Sequence, residues 1–202
     1  MQQEPVIFAT PGYYSRELAA EEVPQLQALF DANPEYFLAM NGQPPQGHEA
    51  WGEFGDYPPA HLPYAKRWFA GLFDEHGKMV GVVSMVSDFC VAHVWHVALF
   101  MIATRFQGQG VARAIYEALE IWMHDSGARW IRLGVVRGNA RAERFWTRQG
   151  FQEVRARHVA EPDGRTTSVR VMVKPMEPWK PESEIKEYLA RVPRDRPESE
   201  LP

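Results

Sequence analysis

The sequence predicts a mixed α/β domain on a mostly antiparallel sheet, and three features carry that expectation. Two β-rich runs, Lys66 to Asp74 and Lys78 to Ser87, are separated only by Glu75, His76 and Gly77, a spacing that suits a hairpin. The run His93 to Ile102 is almost continuously apolar, as expected of a central strand covered on both faces. After it, Val111, Ile115, Ala118, Leu119 and Trp122 fall on one helical face and Gly127 supplies a stop, which predicts a helix of about four turns.

The other elements follow in order. Gly12 to Leu18 reads as a short first strand, and Ala20 to Asp31 as an amphipathic helix with Val23, Leu26, Leu29 and Phe30 at helical spacing. Between residues 33 and 63, Pro34, Pro44, Pro45, Pro58, Pro59 and Pro63 interrupt the rings of Tyr36, Phe37, Trp51, Phe54 and Tyr57, so only short helices and loops are expected. Trp130 to Val136 reads as a buried strand and Ala140 to Gln149 as a short helix. Phe151 to His158 and Thr166 to Lys174 then form a closing hairpin whose turn contains Asp163 and Gly164.

After Met176 the composition shifts to Pro, Glu, Lys and Arg, with Ile185, Tyr188 and Leu189 as a small apolar face. The expected organisation is an N-terminal extension over 1–11, one domain over 12–176, and a charged, Pro-rich tail over 177–202. The tail is read as solvated, with at most a short helix that docks on this domain or on a partner subunit.

At 202 residues the chain suits one domain with an appendage. A net charge of -4 gives no basic field for nucleic acid. Cys90 is the only cysteine, so neither an intrachain disulfide nor a thiolate zinc site is expected, and no metal is invoked. No segment approaches the roughly 20 apolar residues of a membrane span, so a soluble, cytoplasmic protein without a membrane partner is expected.

Chemistry concentrates in Ile102 to Arg113, where an apolar strand enters a glycine-bearing loop and then a helix. Gly108 and Gly110 let the backbone curl against a ligand, and the first N–H groups of the helix favour an anion such as a pyrophosphate. A tight strand-helix turn with no ligand would use the same two glycines. The Lys-Ser/Thr pair of a P-loop is absent, and a dinucleotide fingerprint belongs in the first strand-helix unit of a chain, so ATP and NAD lose ground.

Gln107-x-x-Gly110-x-Ala112 resembles the Q/R-x-x-G-x-G/A signature of the GNAT acetyltransferases. Downstream, Asn139, Ala142, Phe145, Gly150 and Phe151 resemble that family's N-x-x-A-x-x-F-Y-x-x-x-G-F segment, with Trp146 in the tyrosine place. The resemblance covers roughly residues 12 to 175. It implies a strongly bent sheet flanked by helices and splayed between the fourth and fifth strands, with acetyl-CoA as donor and a small-molecule or peptide amine as acceptor.

The resemblance also assigns residues. The backbone of Phe100, Met101 and Ile102 would pair with the pantetheine arm. The amides of Gln107, Gly108, Gln109, Gly110, Val111, Ala112 and Arg113 would hold the pyrophosphate, and Asn139 would touch the arm where the strands splay. Residues 33–63 would form the acceptor's wall.

The acceptor amine must lose a proton before it attacks a thioester. Relatives with a base on the fourth strand place that group at His96, whose competing reading is a hydrogen-bonded core histidine. Trp146 offers an N–H but no acid near neutral pH, so the departing thiolate would rely on Tyr116, on water, or on its own stability, unless Trp146 only packs beside Phe145. Cys90 lies before the central strand, away from the loop, which argues for direct transfer without an acyl-enzyme. A non-catalytic acyl-CoA sensor and an enzyme with another donor remain as rivals, and the oligomeric state is open, a homodimer included.

Overall fold

The computed structural model describes residues 5–160, 164, 166–177 and 181–197. Eight strands form one sheet: β1 (Val6–Thr10), β2 (Tyr13–Glu17), β3 (Arg67–Asp74), β4 (Met79–Val86), β5 (Val94–Ile102), β6 (Trp130–Val136), β7 (Gln152–Ala160) and β8 (Thr166–Pro175). Their order is β1-β2-β3-β4-β5-β6-β8-β7. Only β5 and β6 pair in parallel, because the chain between them crosses the sheet through a helix; the other neighbours are antiparallel.

Helices cover both faces. The crossover helix α4 (Val111–Asp125) buries Ile115, Tyr116, Leu119 and Met123 against Trp95, Val97, Ile131 and Leu133 on one face. On the other, α1 (Val23–Asp31) and α2 (Pro34–Asn41) bring Leu26, Phe30 and Phe37 onto Phe69, Val82, Leu99 and Met101. Each such side chain contributes about 1.5–3 kcal/mol when fully buried. The short helices α3 (Glu49–Gly55) and α5 (Ala140–Arg148) complete the layers. The 33–63 region thus holds two short helices, as expected, and α4 spans the predicted residues.

Two segments differ from the sequence reading. Val6–Thr10 lies ahead of residue 12 yet forms the edge strand β1, joined to β2 by a turn at Gly12, whose φ is +81°. Five residues give too little periodicity to announce a strand; pairing with β2 supplies what the pattern lacks. The Asp163 end of the last hairpin lies outside the described residues.

Residues 181–197 of the C-terminal segment are docked on the sheet. Its helix α6 (Pro181–Arg191) and the turn Pro193–Asp195 cover β6, β7 and β8, with Tyr188 and Val192 fully or almost fully buried against Trp130, Val154, Val171 and Val173. Charge, which made this stretch look like a tail, is what docks it. The carboxylate of Asp195 is fully buried and accepts from Arg132 Nε at 2.7 Å, Arg157 Nη2 at 2.8 Å and Tyr188 Oη at 2.5 Å. Arg129 pairs with Glu184 at 3.0 Å and Glu187 at 2.6 Å, and Trp130 Nε1 donates to the Glu184 carbonyl. No helix among the described residues is long and apolar enough to cross a membrane.

Candidate active site

The centre of the sheet opens at a defined place. Pairing of β5 with β6 runs from Val94↔Trp130 to Val97↔Leu133 and then stops, although both strands continue. On the other side of β5 the register moves from Met85↔Val97 to Ser84↔Leu99, so Ala98 has no β4 partner and forms a bulge. Beyond it Phe100, Met101 and Ile102 pair with Val83, Val82 and Gly81, while their β6 side carries no strand among the described residues. These are the fourth and fifth strands of the sequence reading, renumbered by β1, and they splay.

A cleft of about 460 Å³ occupies the opening. Phe100, Met101, Ile102, Gln107, Gly108 and Ala112 line one wall, Gly138 to Ala142 with Phe145 and Trp146 line the second, and Glu35, Tyr36 and Ala39 of α2 close the third. A smaller hollow between Val97, Ala98, Leu133, Gly134 and Trp146 lies within the splay itself.

Two helix N-termini face this cleft, and they differ in one respect. At α5 the Asn139 side chain caps its own helix, Oδ1 accepting from the Ala142 N–H at 3.1 Å. At α4 the cap position is Gly110, which has no side chain to offer, and the first helical bond is Ala114 N–H to Gly110 carbonyl at 3.0 Å. The N–H groups of Val111 to Arg113 therefore precede any intrahelical acceptor and carry the positive end of the helix dipole. Gly108 and Gly110 hold φ of +76° and +83°, with open space where a Cβ would stand. Their role is conformational, since a left-handed backbone turns the loop into α4 at little cost only with glycine.

Of the residues expected at the site, Phe100, Met101, Ile102, Gln107, Gly108, Ala112, Asn139 and Trp146 are brought together around the cleft. Gln109, Gly110, Val111 and Arg113 belong to the adjoining loop and helix start without lining the cavity; Gln109 donates to the Arg105 carbonyl at 2.6 Å and Arg113 pairs with Glu117 at 2.7 Å. Of the aromatic rings in 33–63, Tyr36 reaches the cleft, Phe37 is core, Phe54 packs on Phe69, and Trp51 is largely exposed. Arg141, Glu35 and Phe145 also line the cleft; only Phe145 was legible beforehand, within the downstream segment.

His96 is not at the cleft. Counting by twos along β5 puts it on the face of Phe100, but the bulge at Ala98 reverses that parity. Its ring stacks on Phe89 at 4.8 Å, and Nδ1 lies 3.1 Å from the Arg132 carbonyl. Burial, then the Arg132 charge, pulls its pKa down to about 3, so the ring is neutral and a weak base. The core-histidine reading describes this geometry.

Because the native pKa lies below the ordinary value of 6.5, the unfolded chain binds a proton that the folded chain does not between about 6.5 and about 3. Stability from a neutral His96 is complete above that window and is lost as pH falls through it. His96→Gln is expected to keep turnover and to lose less stability than wild type between about pH 6.5 and pH 4, measured by urea unfolding at a series of pH values. Loss of turnover in a folded variant would return His96 to the reaction.

Trp146 is nearly buried and stands edge-on to Tyr116 at 5.2 Å and to Phe100 at 5.6 Å. Tyr116 lies beneath it, fully buried, its hydroxyl without a hydrogen-bond partner and its pKa raised by burial and then by Glu120. It does not line the cleft. The surface that Trp146 offers the cleft is thus aromatic.

The Acetyltransferase (GNAT) family model matches residues 19–151. Among curated proteins no sequence matches significantly. Solved structures of similar fold include an acetyltransferase from Salmonella typhimurium that modifies the N-terminal serine of ribosomal protein L7/L12, at 17% identity and TM-score 0.66 over 86% of this chain and 100% of that one. An acetyltransferase from Thermus thermophilus aligns at 22% identity and TM-score 0.61, covering 81% and 97%. Spermidine N-acetyltransferase from Vibrio cholerae, in complex with CoA and spermine, aligns at 17% identity and TM-score 0.61, covering 82% and 96%. At these identities the structural likeness is one of fold; the family match over residues 19–151 establishes that the chain belongs to the GNAT family of N-acetyltransferases.

Proposed function

We propose that this protein transfers an acetyl group from acetyl-CoA directly to a primary amine of a small molecule or peptide. The observation that carries this reading is the uncapped N-terminus of α4 opening onto a cleft between two strands that have parted. Bound there, acetyl-CoA supplies an acyl carbon activated as a thioester. The N–H groups from Gly108 to Arg113 hold its pyrophosphate, and the unpaired edge of Phe100 to Ile102 offers main-chain groups to the extended arm. The small hollow beside Ala98 and Trp146 suits a short acyl group.

The acceptor's side is drawn from a segment rich in acids. From residue 18 to residue 65 the chain has Glu21, Glu22, Asp31, Glu35, Glu49, Glu53 and Asp56 and no Lys or Arg. Of these acids Glu35 lines the cleft, where a carboxylate attracts a protonated amine. Glu53 stands near Tyr36, whose phenol it helps to keep protonated; its own carboxyl is pushed up to about 7 by burial, then by Asp56 and Glu49. Deprotonation of the acceptor falls to water along the α2 wall, where Glu35 lines the cleft.

The test is thiol release from acetyl-CoA against alkyl monoamines, diamines and short peptides with free N-termini. Release with an amine, and acetylated amine as product, is expected. Tight acetyl-CoA binding with no release across the panel would favour a non-catalytic sensor, and stabilisation by ATP or NAD in place of acetyl-CoA would favour a different donor.

A further inference from the structure

Arg141 lines the cleft and is exposed. It lies in the first turn of α5, two residues after the Asn139 cap, and faces Gln107, Gly108 and Ala112 across the opening. Its Nη1 donates to Oε1 of Gln107, so a side chain from the β6–α5 wall meets one from the β5–α4 wall. The Gln107 amide in turn donates to the Ile102 carbonyl at 3.4 Å. A neutral amide oxygen leaves a guanidinium its full charge and most of its N–H groups.

Arg141 differs from the paired arginines nearby in where it stands: it lines the cleft. Arg113 pairs with Glu117 at 2.7 Å and Arg137 with Glu153 at 2.9 Å, whereas among the described residues Arg141 has no carboxylate partner. Glu143, close by in sequence, accepts instead from the Gly138 N–H at 3.1 Å and lies 3.6 Å from Arg170. The Asn139 cap also withdraws the Ala142 N–H, which leaves fewer backbone donors here than at the start of α4. An exposed guanidinium keeps the freedom to turn, and its planar fork matches phosphate oxygens.

We propose that Arg141 is a phosphate latch: its guanidinium leaves Gln107 for the pyrophosphate held on the Gly108 to Arg113 amides and closes the cleft from the α5 side. The latch rests on the acetyl-CoA reading. It adds to that reading a side-chain contact from the wall opposite the glycine loop, made by a residue that in the free protein ties the two walls together.

Calorimetric titration of wild type, Arg141→Ala and Arg141→Lys with CoA and with dephospho-CoA tests it, alongside the melting temperature of each unliganded protein. Arg141→Ala should leave the melting temperature unchanged and weaken both ligands by the same factor, about tenfold or about 1.4 kcal/mol. Arg141→Lys should recover part of the loss, since it keeps the charge without the fork. Equal affinities for wild type and Arg141→Ala would overturn the latch. So would a loss confined to CoA, which places the guanidinium on the 3′-phosphate. Wild type that took up neither ligand would overturn the acetyl-CoA reading itself.

Discussion

Gly110→Val is expected to weaken CoA uptake by on the order of 100-fold, two decades of about 1.4 kcal/mol each. Gly110 sits at φ +83°, a conformation that costs a β-branched residue about 1–3 kcal/mol, and the position caps the helix whose N–H groups face the cleft. A valine there shifts the loop away from the left-handed region and turns the Val111 to Arg113 amides off their common aim. Strain alone would also lower stability, so a second variant separates the two effects. Gly127→Val has φ +96° at the far end of α4, again with no atom near a built Cβ. It should lower the melting temperature comparably and leave CoA affinity as in wild type. Titration calorimetry on both variants checks this.

Asp195→Ala is expected to cost about 3–5 kcal/mol of folding stability, the range for removing one partner of a buried ion pair. For a chain of this length that is a fall in melting temperature of roughly 10 °C. The carboxylate holds two guanidinium groups and a phenol; without it Arg132, itself almost fully buried, is left as an uncompensated charge between β6 and the C-terminal turn. Replacing both members, Arg132→Met with Asp195→Leu, should recover part of the loss, because the penalty lies in the orphaned charge. A pH series gives a second check. Asp195 is held below the usual carboxylate pKa by its hydrogen bonds to Arg132, by the Arg132 charge and by Tyr188, against the desolvation that opposes them. Its contribution is complete above about pH 3.9, the unfolded value, and is lost only in stronger acid. A solvated tail would show none of this, and a melting temperature unchanged in Asp195→Ala would return the segment to that description.

The parts of the fold that were legible in the sequence are those whose signal is local. The Glu75–Gly77 turn, the apolar run of β5 and the one-sided periodicity of α4 each need only a few neighbouring residues to declare themselves. The glycine loop was legible for the same reason, since Gly108 and Gly110 answer a backbone requirement that a side chain cannot meet cheaply. What failed depends on distant partners. Val6–Thr10 becomes a strand through β2, and α6 docks because Asp195 and Glu184 meet Arg132 and Arg129, over 50 residues away, which composition reads only as charge. For His96 the sequence offered two readings, and the geometry matches the core one: the unpaired Ala98 shifts the side-chain alternation, and no feature of the run from Val94 to Ile102 announces it.

The absence of Lys and Arg from residues 18–65 was also present in the sequence, yet it gains meaning only when α2 is seen to bring Glu35 to the same cavity that Arg141 and Ala112 line. Fold and family then supply the reaction class, and fold alone does not fix the acceptor.

The backbone N–H groups of Gly108 to Arg113 are the claimed anchor, and their exchange with solvent deuterium can be followed residue by residue. With saturating CoA the account predicts strong slowing at those amides, centred on Val111 to Arg113, and little change at the already capped start of α5. Exchange there that stays at the unliganded rate while CoA is demonstrably bound would contradict it.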